Sequence, residues 1–119
     1  MAVTKLDAQA FARTVDEGPV VVDFYADWCG PCHHLAPIME SLSKRYEGRV
    51  VFAKVNVDDE QELAARFGIF SIPAVLLFEG GEAVARSIGA KPADVLERDL
   101  GLERHLQSAD GDAEAKVRT

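Results

Sequence analysis

The chain holds two cysteines, Cys29 and Cys32, with Gly30-Pro31 between them in the run Trp28-Cys29-Gly30-Pro31-Cys32. Two thiols at this spacing can close a small disulfide ring and reopen it with little backbone movement, provided that local geometry brings their Cα atoms close. A helix beginning at about Pro31 supplies that turn. Its free N–H groups and positive dipole end favour the thiolate, the attacking species in thiol–disulfide exchange. Cys29, ahead of the helix proper, is the better-placed nucleophile. Cys32, one turn in, is expected to be the more buried thiol and to act second, attacking the mixed disulfide formed on Cys29.

Two other chemistries share the four-residue core. A CxxC pair is half of a zinc site, but zinc normally takes four ligands, no second cysteine pair exists, and His33 and His34 lie too close in sequence to complete a tetrahedron easily. Cys29-Gly30-Pro31-Cys32-His33 also spells the C-x-x-C-H pattern of covalent haem attachment. Against haem stand the α/β surroundings of the motif and an opening segment without an export signal. No metal and no covalently attached haem are therefore expected.

A buried second thiol needs a base. Asp23 interrupts the apolar run Val20-Val21-Val22-Asp23-Phe24-Tyr25-Ala26 that leads straight into the cysteines. A carboxylate held in such a strand has the raised pKa of a proton carrier near neutrality; its bland reading is a tolerated charge at a sheet edge. Lys54, within Val50 to Val57, either tempers the charge of Asp23 or snorkels from an edge. His33 and His34 read as solvated helix residues, with His33 alternatively a pH-dependent neighbour of the dithiol.

The elements that must position these groups follow from periodicity and punctuation. Asp7 caps a first helix through Ala8, Phe11 and Val15, and Gly18-Pro19 breaks it before the strand Val20 to Ala26. That strand's near-continuous apolar character suits a central position covered on both faces. Leu35, Ile38, Leu42 and Tyr46 recur at helical spacing up to Gly48, with Pro37 expected to kink the helix. Val50 to Val57 reads as a strand, and Asp58-Asp59 as the cap of a short helix through Leu63, Ala64 and Phe67. Ala74 to Phe78, a Gly80-Gly81 turn and Ala83 to Ile88 form an antiparallel hairpin. A last helix from near Pro92 turns Val95, Leu96, Leu100 and Leu106 inward, weakened at Gly101. Alternating strands and helices ending in a hairpin predict an α/β fold, a mixed sheet of four to five strands with helices on both faces. Residues 1–106 form one domain, and 107–119 a polar tail expected to be flexible.

Composition agrees and excludes some functions. At 119 residues with net charge −7, the protein is large enough for one core and ill suited to nonspecific contact with nucleic acid or anionic membranes. No apolar run approaches the length of a membrane span. Met1 to Asp7 lacks the apolar stretch of a secretory signal, so a cytoplasmic location is expected; a monomer is a separate expectation.

The segment Val21 to Cys32 resembles the active-site segment of thioredoxins. The similarity continues through Lys54-Val55-Asn56-Val57-Asp58, Phe67-Gly68-Ile69, Ser71-Ile72-Pro73, Leu77-Phe78 and Gly89, roughly residues 2 to 106. The resemblance implies a thioredoxin fold, with Cys29 attacking client disulfides, Cys32 resolving, Asp23 carrying the proton, and Pro73 in cis facing the dithiol. A proline there leaves neighbouring backbone groups free to pair with an extended substrate; the bland alternative is the start of an exposed strand. Trp28, Gly30, Pro31, Ile72 and Gly89 match the family's client-binding surface, although Trp28 could serve packing. The implied partners are disulfide-containing client proteins and thioredoxin reductase, with electrons from NADPH reaching the small protein only indirectly and no cofactor bound by it. The chain departs from the family pattern in His33-His34 where a Lys or Arg commonly follows the second cysteine, in Tyr25 for a second Trp, in Phe70 for a polar residue, and in its tail.

Protein-disulfide reduction is thus the first expectation. A binding module of the same fold, recognised around Trp28, Ile72 and Pro73 with the dithiol secondary, is the second. An oxidising role within the same chemistry is the third.

Overall fold

The structure is a computed structural model that describes residues 3–106. Strands β1 (Val3–Lys5), β2 (Val20–Tyr25), β3 (Val51–Asn56), β4 (Ala74–Glu79) and β5 (Glu82–Ile88) form a single sheet in the order β1-β3-β2-β4-β5. β1, β3 and β2 run parallel, while β4 is antiparallel to β2 and β5 to β4. Helices α1 (Ala8–Val15), α2 (Gly30–Arg45), α3 (Gln61–Arg66) and α4 (Ala93–Leu100) cover the two faces. The α/β prediction holds.

Alternation along β2 sorts the core. Val20, Val22 and Phe24 pack with Phe11, Val15 and Leu63 of α1 and α3. Val21 packs on the other face with Leu35, Met39 and Leu42 of α2 and Leu96 and Leu100 of α4. By the two-residue period, Asp23 shares the α2 side. Lys54 stands directly opposite it on β3, and Val75 opposite it on β4.

Local chemistry sets the boundaries. Asp7 caps α1, its carboxylate accepting from the Ala10 N–H at 2.8 Å. Gly80 and Gly81 turn the hairpin with φ of 62° and 82°, a conformation that disfavours side chains. At Gly81 a Cβ would also lie 2.7 Å from Asp16 Oδ1. α2 runs through Pro37 as one element.

Three expectations change. β1, absent from the sequence reading, adds three residues to the open side of β3. Asp58 and Asp59 do not cap α3: its N-cap is Glu60, without a side-chain bond. The Asn56 side chain takes the N–H groups of Asp58 and Asp59 at 2.8 and 3.2 Å, while their carboxylates turn to Trp28 and Lys5. Gly101 ends α4 outright rather than weakening it. With φ of 65°, it and buried Leu102 donate to the carbonyls of Arg98 and Glu97, a Schellman closure. Helix resumes at 103–106, bringing Leu106 against the α2 side of the core. The predicted tail, 107–119, lies outside the described residues. Among them, no helix is long and apolar enough to cross a membrane.

Candidate functional site

The cysteines sit where β2 gives way to α2, and their sulfurs are joined in a disulfide with Cα atoms 5.3 Å apart. Cys29 is the N-cap of α2. Its Sγ accepts the Cys32 N–H at 3.2 Å, so an otherwise unpartnered helix-start N–H is aimed at that sulfur. The expected contrast in burial does not appear in this oxidised state: Cys29 is 3% exposed and Cys32 4%. Helix position distinguishes the two instead, one sulfur receiving the N-terminal N–H and the other borne inside the first turn. Ala26, Cys29 and Cys32 form a small cluster with Tyr25, Val57 and Ile72 against them.

Asp23 is buried, and its Oδ1 finds no hydrogen-bond partner among the described residues. Burial raises its pKa from 3.8 to about 7, opposed by the positive charge of Lys54. β2 lies between β3 and β4, which removes the reading of Asp23 as an edge charge. Lys54 is not on an edge strand either. Its Nζ stands 5.3 Å from the centre of the Tyr25 ring, and no ion pair within 4.0 Å joins it to Asp23 among the described residues. Lys54 therefore acts on the carboxyl through its field rather than by contact.

The loop before β4 completes the site. The Ile72–Pro73 peptide bond is cis, as the resemblance implied, and Pro73 is buried, not the start of an exposed strand. The Ile72 carbonyl oxygen lies 3.9 Å from Cys29 Sγ. Gly89, with φ of 95°, donates its N–H to the Pro73 carbonyl at 2.8 Å, tying the end of β5 to this loop. Gly30 and Pro31 are exposed beside the disulfide. Trp28 is 72% exposed, so it is no core residue, and Phe70 is 94% exposed.

Two contacts were not foreseen. The Trp28 indole Nε1–H donates to Asp58 Oδ2 at 2.8 Å, and the His33 ring bonds the Asp27 carbonyl at 2.7 Å. The first joins residues thirty positions apart, a distance across which no spacing rule operates. Among the described residues no cluster of three or more His, Cys, Asp or Glu is placed to hold a metal ion.

The thioredoxin family model matches residues 2–101. Thioredoxin of Bacillus subtilis (strain 168) is 40% identical over 97 residues, spanning 82% of this chain and 93% of that protein. Thioredoxin of Alicyclobacillus acidocaldarius subsp. acidocaldarius is 42% identical over 98 residues, with the same shares of 82% and 93%. A bifunctional thioredoxin reductase/thioredoxin of Mycobacterium leprae (strain TN) is 43% identical over 95 residues, 79% of this chain and 21% of that longer protein.

Fold and paired cysteines together define the class, a dithiol–disulfide oxidoreductase that works through a reversible disulfide. Within it the chain belongs to the thioredoxin family, and its activity is the reduction of protein disulfides through Cys29 and Cys32. Redox chemistry thereby stands over the zinc and haem readings, and exchange over the binding module.

Proposed function

We propose that Cys29 attacks and Cys32 resolves, with Asp23 moving the proton. The observation that carries the assignment is the Cys32 N–H directed at Cys29 Sγ, a donor that stabilises negative charge on that sulfur in the reduced protein. The Cys29 thiolate attacks a client disulfide, forming a Cys29–client bond and releasing one client thiolate. Asp23 takes the Cys32 proton, and the Cys32 thiolate attacks Cys29 Sγ. The second client thiolate leaves, and the protein is left with the Cys29–Cys32 disulfide, two electrons poorer. Trp28, Gly30, Pro31, Ile72, Pro73 and Gly89 form the surface on which an extended client lies, an assignment supported by the approach of the Ile72 carbonyl to Cys29. Lys54 tunes Asp23.

Two electrons must return. A thioredoxin reductase drawing on NADPH is the source we propose, supported by the relative whose name joins reductase and thioredoxin in one protein. A cytoplasmic setting follows from the same chemistry, since thiols are kept reduced there.

Reduction of insulin by dithiothreitol should be accelerated by the wild-type protein and not by Cys29→Ser. Cys32→Ser should accumulate a trapped mixed disulfide, visible on a non-reducing gel. Prompt release of reduced insulin by that variant would overturn the resolving role. Equilibration against a glutathione buffer checks the reducing direction: a potential well below that of the glutathione couple is expected, and one above it would overturn that direction.

A further inference from the structure

We propose that His33 is a positioning residue that fastens the turn carrying Trp28 in front of the dithiol. Its Nε2 lies 2.7 Å from the carbonyl oxygen of Asp27. A carbonyl oxygen has no proton to give, so Nε2–H is the donor. The bond runs from the first turn of α2 back across Cys29 and Trp28, six residues upstream. The backbone holds the same stretch at Cys29, whose N–H donates to Ala26 at 3.2 Å and whose carbonyl accepts from the His33 N–H at 3.3 Å. The first of these closes the turn whose central residues are Asp27 and Trp28, but neither takes up the Asp27 carbonyl, and both residues are exposed, so core packing adds no hold on them. From the opposite side Asp58 takes the indole N–H at 2.8 Å. Side chains from α2 and from the loop before α3 thus hold the turn between them.

The consequence for function rests on the proposed role of Trp28 as a client contact. An indole on a loose turn must be ordered when a client binds, at a cost in affinity, whereas a fastened one meets the client already in place. Protonation of the imidazole adds an Nδ1–H and leaves Nε2–H where it is, so the bond holds in both charge states. Fastening is therefore present whether the ring is neutral or charged, the charged donor bonding the more strongly, whereas an electrostatic influence of His33 on the cysteines needs the charged ring.

Trp28 is the sole tryptophan of the chain, so the anisotropy decay of its emission in the reduced protein reads the turn directly. His33→Ala should enlarge the fast component of that decay and raise KM for insulin about threefold at pH 8, within the range of one neutral hydrogen bond, and by no less at pH 6. His33→Gln offers an amide N–H of similar reach and should restore both readouts. An unchanged decay in His33→Ala would overturn the proposal. So would a KM effect confined to one pH, which assigns it to charge, or a failure of His33→Gln to restore the decay. Trp28→Ala separates the two layers: a wild-type KM there refutes the client role of Trp28, while the anisotropy comparison still decides what His33 does.

Discussion

Asp23 is a carboxyl that the fold keeps from water and leaves with one oxygen unpartnered among the described residues, and the cost falls on its charged form. Between the ordinary value of 3.8 and about 7 the unfolded chain has released a proton that the folded chain retains. Stability therefore falls as pH rises through that window, the contribution being whole below 3.8 and gone above about 7. Its full size is of order 4 kcal/mol by the conversion between pKa and free energy. Asp23→Asn keeps the shape and cannot ionise. In urea unfolding of the oxidised protein the variant should gain on the wild type from pH 4 to about pH 7 and then level off, and parallel pH profiles would refute the assignment. The same variant should slow release of client from the mixed disulfide, because Cys32 loses its base. Lys54 works against burial, so Lys54→Met should move the wild-type stability profile to higher pH.

Between elements, α2 and α4 are joined by a polar tie inside an apolar seam. Glu97 of α4 is buried and accepts from the Tyr46 hydroxyl at 2.7 Å and from Arg45 Nε at 2.8 Å. Glu97→Leu would leave the Tyr46 hydroxyl buried without an acceptor, so a loss of about 1–3 kcal/mol in urea unfolding is expected. A loss no larger than that of an exposed substitution such as Glu103→Leu would show that the tie contributes nothing. Elements of this kind were legible where a local rule acts. The Asp7 cap, the double-glycine hairpin and the two-sided burial of β2 all follow from residues a few positions apart. β1 has one half-buried and two exposed residues, carries almost no hydrophobic signal, and exists because β3 offers it an edge. The cap of α3 was misread because Asn56, Trp28 and Lys5 competed for Asp58 and Asp59, and two of those three are distant in sequence. At the site, the cysteines, Asp23 and Pro73 were visible as types in a pattern. The bonds that hold Trp28 arise only when the β3–α3 loop is brought beside the start of α2.

Across the molecule, charge is unevenly disposed as well as negative overall. Asp58, Asp59, Glu60 and Glu62, against one cation, Arg66, line a surface depression beside the bond that anchors Trp28. A cationic client should be drawn to this side and an anionic one repelled, so kcat/KM for a basic disulfide peptide should fall roughly tenfold between 10 and 300 mM salt, while that for an acidic peptide rises. Salt-independent rates for both would remove electrostatics from client choice. The outer strands carry a different consequence. β1 is three residues long and ends in Lys5. On β5, exposed Val84 is the residue left without a partner by the register shift at Leu77/Phe78, with Glu82 and Arg86 two positions to either side of it along the strand. Short, charged and irregular edges discourage another strand from adding on. A client that lies extended beside the disulfide, as proposed, is thereby offered no second place to pair along the sheet.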